Sequence, residues 1–147
     1  MQNTIKIGVV SALVLFAILG AVSISMAGTQ IQLKIVYPEG LINATQKGAV
    51  IIDIRREEEW NDTGIIDGAE LITAFQKDGS IHPEFHNKFF SAVDSKETPI
   101  ILYCRTGNRT NAIGNALIRE LGFTNVSHLS HGINGWLREN RKITHID

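Results

Sequence analysis

The chain has 147 residues, 44% of them hydrophobic, 20% charged and 7% aromatic, which is enough for one ordinary globular core and too little for a comfortable second domain. Its net charge is −1 with no long basic run, which excludes a nucleic-acid footprint and a polybasic membrane patch, so any anion site must be local. Low-complexity tracts and repeats at solenoid periods are absent.

The N-terminal stretch departs from this average. Lys6 precedes an apolar run from Ile7 to Ile24, and Ser25-Met26-Ala27 follows with small residues where an export-signal cleavage site needs them. Residues 1–27 therefore read as a cleaved signal and 28–147 as the mature domain, with its core at about 36–140. The alternative is an anchor over residues 7–24 facing the periplasm, since a run of roughly 18 apolar residues just spans a bilayer. Gly8, Gly20 and the serines favour cleavage, which removes one of 14 basic residues and leaves 13 against 15 acidic ones, a net charge of −2. In a bacterium the expected location is the periplasm, without stable membrane association after cleavage.

Along the mature chain, Gly48 to Arg55 is a short continuous apolar run ending in charge, the pattern of a strand buried on both faces of a parallel sheet. Glu57 to Trp60 reads as a short helix, and Ala69 to Ile72 as a brief strand after the Gly64 and Gly68 turns. Phe85, Phe89, Phe90 and Val93 recur at helical spacing behind Pro83, giving a helix over 83–93. Pro99 to Tyr103 is a second apolar strand. Ile113, Leu117, Ile118 and Leu121 share one face of a helix over 111–121 that Gly122 ends. Val126 to Leu129 reads as a further strand and Gly135 to Asn140 as a closing helix. Alternating strands and helices predict an α/β fold in layers around a parallel sheet.

Cys104 is the chain's one cysteine, so no internal disulfide is possible. It opens Cys104-Arg105-Thr106-Gly107-Asn108-Arg109 between an apolar strand and an amphipathic helix, where functional sites of open α/β sheets lie. A helix N-terminus and two arginines favour a thiolate there, and Gly107 lets the backbone curl so that loop N–H groups point inward as an anion nest. A cysteine serving only as a small core hydrophobe has no need of these neighbours.

This loop resembles the active-site loop of the rhodanese-like sulfurtransferases. Val50-Ile-Ile-Asp-Ile-Arg-Arg-Glu-Glu-Glu-Trp60 followed by Gly64-Ile-Ile-Asp-Gly-Ala69 is similar to the family's first signature, and Leu129-Ser-His-Gly-Ile-Asn-Gly-Trp136 to its closing one. Three positions depart: Ile65 stands for the usual histidine, Asp67 for the usual proline, and His131 for the first glycine of the closing pair. The resemblance implies a three-layer rhodanese-like domain and a double displacement through a Cys104 persulfide. The donor would be a small sulfur-containing anion such as thiosulfate and the acceptor cyanide, a thiol or a protein, with no cofactor. It makes Cys104 the nucleophile, Arg105 and Arg109 the candidates for donor binding, and Thr106, Gly107 and Asn108 the sources of loop amides.

Asp53 and Arg55 end the first buried strand near the loop, where a salt bridge or loop-fixing hydrogen bond is expected. Glu57, Glu58 and Glu59 read as a solvated helix face. The histidines at 82, 86, 128, 131 and 145 lack metal-ligand spacing, so no metal is expected. Two other functions fit the loop. One is a carrier that delivers persulfide to a dedicated partner protein. The other is a cysteine phosphatase or arsenate reductase, but four residues separate Cys104 from Arg109, one fewer than in those loops.

Overall fold

The structure is a computed structural model that describes residues 30–146. The expected signal over 1–27 lies outside the described residues. Among those described, no helix is long and apolar enough to cross a membrane.

Five parallel strands form one sheet in the order β1-β5-β4-β2-β3. They are β1 (Lys34–Val36), β2 (Val50–Asp53), β3 (Glu70–Leu71), β4 (Ile100–Tyr103) and β5 (Val126–Leu129). The helices are α1 (Pro38–Thr45), α2 (Glu57–Thr63), α3 (Phe85–Ala92), α4 (Asn108–Arg119) and α5 (Gly132–Arg138). The apolar runs at β2, β4 and β5 are thus strands, and β4 is buried throughout. Side chains alternate across the sheet as strand geometry requires. Ile52, Ile100, Leu102 and Val126 face Phe85, Phe89, Ile113 and Leu117 of α3 and α4, while Ile51, Ile101 and Leu129 face Leu41, Ile133 and Trp136 of α1 and α5. The result is the expected layering of helix, sheet and helix.

Some boundaries and elements differ from the sequence reading. β1 and α1 were not anticipated, α2 continues to Thr63, and α4 begins at Asn108, inside the loop. α5 starts at Gly132 rather than Gly135, because the chain turns into the helix through His131 in the left-handed conformation, φ 58°. The segment after Arg141 also has a structural task. Ile65 and Thr144 exchange two backbone hydrogen bonds of 2.8 Å, Trp136 Nε1 donates to Lys142 O at 2.8 Å, and Ile143 packs on the α1/α5 core.

Parallel register sets the site. Asp53 lies opposite Tyr103, and Ile54 N–H donates to Tyr103 O at 3.0 Å. The chain therefore leaves the carboxyl ends of β2 and β4 side by side, with Arg55 on one exit and Cys104 on the other.

Candidate active site

Cys104 continues the alternation of β4 onto the α3/α4 side of the sheet and is 1% exposed. Gly107 N–H donates to Cys104 Sγ at 3.2 Å. Gly107 precedes α4 with φ 105°, a left-handed conformation that side chains disfavour, and this turn swings the amide back over the sulfur. Thr110, fully buried on the first turn of α4, places Oγ1 3.9 Å from Sγ and donates to Gly107 O at 2.9 Å. An anionic sulfur here meets an amide, a hydroxyl and the positive end of a twelve-residue helix.

The loop carbonyls are held from the other side. Ile133 N–H donates to Cys104 O at 2.8 Å and Asn134 N–H to Arg105 O at 3.2 Å, so the first turn of α5 ties down the start of the loop. Gly132 makes this approach possible. A Cβ there would run into the Cys104 carbonyl oxygen and lie 2.8 Å from the Arg105 carbonyl.

The two loop arginines separate in role. Arg109 makes a two-pronged ion pair with Glu59, both N–O distances 2.7 Å, which pins the start of α4 to α2. Glu59 and, more weakly, Cys104 push the Arg109 guanidinium above its usual pKa against the opposing effect of burial. Burial works to raise the Glu59 pKa, but hydrogen bonds from Arg109 and the Arg56 backbone outweigh it and hold the carboxyl below its usual value. Glu59 is therefore not on a solvated face: its side chain is 14% exposed, against 50% for Glu58. The expectation of a solvated run holds for its neighbours and fails for Glu59, because α2 turns every third or fourth residue inward. Arg105 is exposed, and its guanidinium has no hydrogen-bond or ion-pair partner among the described residues. It borders a cavity of about 70 Å³ whose walls include Asp62, Ile133 and Asn134. Thr106 and Asn108 are exposed at the loop rim.

Asp53 and Arg55 form the expected salt bridge, fully buried, at 2.6 Å. Arg55 also donates to Thr63 Oγ1 at 2.6 Å, Gly64 O at 2.8 Å and Glu59 O at 3.1 Å, so it fastens α2 to the end of β2. Burial opposes its charge, but Asp53 more than compensates and raises its pKa. The pair thereby also carries Glu59 to Arg109. Among the described residues no cluster of three metal-ligating side chains occurs.

Three residues of the site were not singled out from the sequence: Glu59, Thr110 and His128. Thr110 follows Arg109 directly, three residues beyond Gly107, and a hydroxyl on the first turn of a helix that opens with an anion loop is a signal that local spacing carries. His128 on β5, with Nδ1 3.0 Å from Thr110 Oγ1, has no such signal.

Residues 38–139 match the family described as rhodanese-like domain. The chain belongs to that family. It is 34% identical over 95 residues to a rhodanese domain-containing protein of Drosophila melanogaster, covering 60% of this chain and 82% of that one. Among solved structures it is similar to the polysulfide-sulfur transferase homodimer of Wolinella succinogenes, with a TM-score of 0.62 at 19% identity over 78% of this chain and 80% of that one. A thiosulfate sulfurtransferase of Pseudomonas aeruginosa gives a TM-score of 0.61 at 21% identity, over 77% of this chain and 20% of that one. These similarities extend over the five-stranded parallel sheet and flanking helices of this chain and show its fold.

Proposed function

We propose that this protein is a sulfurtransferase that takes a sulfane sulfur from a small anionic donor such as thiosulfate onto Cys104 and passes it to a cyanide, thiol or protein acceptor. The observation that carries the reading is the buried Cys104 Sγ under the Gly107 amide at 3.2 Å, with the Thr110 hydroxyl at 3.9 Å. Those donors stabilise a thiolate before the reaction and a persulfide anion after it. The Cys104 thiolate attacks the outer sulfur of thiosulfate. A Cys104–sulfur bond forms, the donor S–S bond breaks, and its electron pair leaves with sulfite. An acceptor nucleophile then attacks the outer persulfide sulfur and returns the electron pair to Cys104. Arg105 holds the incoming anion, since Arg109 is committed to Glu59.

The exposed rim of Arg105, Thr106, Asn108 and His131 around a buried sulfur favours a second reading, delivery of the persulfide to a partner protein. Export to the periplasm belongs to the same proposal and is checked by the N-terminal residue of protein recovered from cells, Gly28 for a signal cleaved after Ala27.

Intact mass after incubation with thiosulfate tests the first half-reaction. Wild type should gain about 32 Da, one sulfur, with one equivalent of sulfite released, and Cys104→Ala should gain nothing. Rapid cyanide turnover then favours the small-molecule acceptor, and a stable adduct with slow turnover favours delivery. Phosphate-monoester hydrolysis faster than sulfur uptake would overturn the proposal.

A further inference from the structure

The single hydroxyl proton of Thr110 has three claimants. Gly107 O lies 2.9 Å away, His128 Nδ1 3.0 Å and Cys104 Sγ 3.9 Å. A threonine hydroxyl donates once and accepts twice, and a backbone carbonyl only accepts. The imidazole therefore decides where the proton points. A bare Nδ1 draws it away from the loop. An Nδ1 that carries its hydrogen instead donates to Thr110 Oγ1 and leaves the hydroxyl proton for the loop. Gly107 O also accepts from Asn111 N–H at 3.0 Å, so it is satisfied in either arrangement, but only the second leaves the hydroxyl proton on the loop side, where an anionic Sγ can take it. His128 is half-buried, and burial holds it below its usual pKa with no charged neighbour contributing, so the ring is neutral at neutral pH.

We propose that His128 is a positioning residue for Cys104: its Nδ1–H donates to Thr110 Oγ1 and so directs the Thr110 hydroxyl proton toward an anionic sulfur. While Cys104 is a thiol, the hydroxyl rests on Gly107 O. Once the sulfur carries charge, rotation about the Thr110 side chain brings the proton to Sγ, because a charge-assisted hydrogen bond is about twice as strong as a neutral one. No proton changes owner and no bond breaks. The purpose of the device rests on the sulfur-transfer reading, but its test does not.

The test is the rate of Cys104 alkylation by iodoacetamide in the full chain from about pH 5 to 9, a reaction that reports the thiolate whatever the natural donor is. Thr110→Val and His128→Leu should each slow alkylation at pH 7 about ten- to a hundredfold and displace the profile to higher pH, the size expected for one lost hydrogen bond to a charged group. The double variant should be no slower than either single one, because both remove the same link. His128→Asn places an amide N–H near the position of Nδ1 and should restore most of the rate, whereas His128→Gln, whose amide reaches the Nε2 position, should not. A wild-type profile in His128→Leu, full additivity in the double variant, or equal rates for the asparagine and glutamine variants would overturn the proposal. Should His128→Leu fail to fold by near-ultraviolet circular dichroism, the asparagine and glutamine pair decides alone. Absence of a persulfide in wild type would sink sulfur transfer while leaving the alkylation profiles to settle the role of His128.

Discussion

Arg105 and Arg109 carry the same charge in the same loop, yet Glu59 commits one of them and leaves the other to solvent. The pair's contribution has a pH signature. The Glu59 carboxyl is held below its usual value of about 4.3, so its stabilisation is fully present above that pH and is lost as pH falls through the lower folded-state value. Glu59→Gln should destabilise the fold by about 1–2 kcal/mol at pH 7, with the gap from wild type closing below about pH 4. Urea denaturation at pH 7 and at pH 3.5 measures both, and equal stability at pH 7 would count against a role for the pair. Cys104 and its loop were legible in the sequence because strand, glycine turn and helix are adjacent there. Thr110 is marked by the same local spacing, whereas Glu59 and His128 are not, since α2 and β5 meet α4 only when the sheet closes. The Glu57 to Glu59 run is solvated by composition, and only the α2 register selects the residue that turns in.

At the scale of elements, β2, β4 and β5 are legible because strands covered on both faces read as continuous apolar runs. β1 is a three-residue strand with Ile35 61% exposed, and among the described residues its only strand partner is β5, far along the chain, so no local pattern marks it. The C-terminal segment shows a similar dependence on tertiary contact. Two of the three departures from the family signature meet there: Ile65 bridges Thr144, and Thr144 Oγ1 donates to Asp67 Oδ1 at 3.4 Å. Gly64 makes room for this docking, since a Cβ on it would lie 2.8 Å from Ile143 Cδ1 and 2.9 Å from Thr144 O. Removing residues 143–147 deletes two backbone hydrogen bonds and the packing of Ile143, a loss of about 2–4 kcal/mol. Because the segment docks beyond α2 rather than on the loop, the truncated protein should melt earlier but alkylate Cys104 at the wild-type rate. Unchanged thermal stability would mean that the docking contributes nothing.

At the scale of the whole molecule, a net charge of −1 offers no general attraction for an anionic donor, so the field at the mouth must come from few groups. Arg109 is neutralised by Glu59 and Arg55 by Asp53, which leaves Arg105 and the α4 N-terminus to attract a negative substrate to Cys104. These two sources differ in exposure and therefore in their response to salt. Arg105 stands in solvent, where ions screen it, whereas the helix end acts on a sulfur that is 1% exposed. Comparing alkylation by anionic iodoacetate with that by neutral iodoacetamide isolates the electrostatic part. In wild type the ratio of the two rates should fall about three- to tenfold between 0.01 M and 1 M salt, as the screening length drops from about 30 Å to about 3 Å. Arg105→Ala should start near the high-salt ratio and change little with added salt, while its rate with the neutral reagent stays at the wild-type value. If the variant keeps the wild-type salt dependence, the attraction comes from elsewhere on the molecule, and Arg105 is not the group that receives the donor.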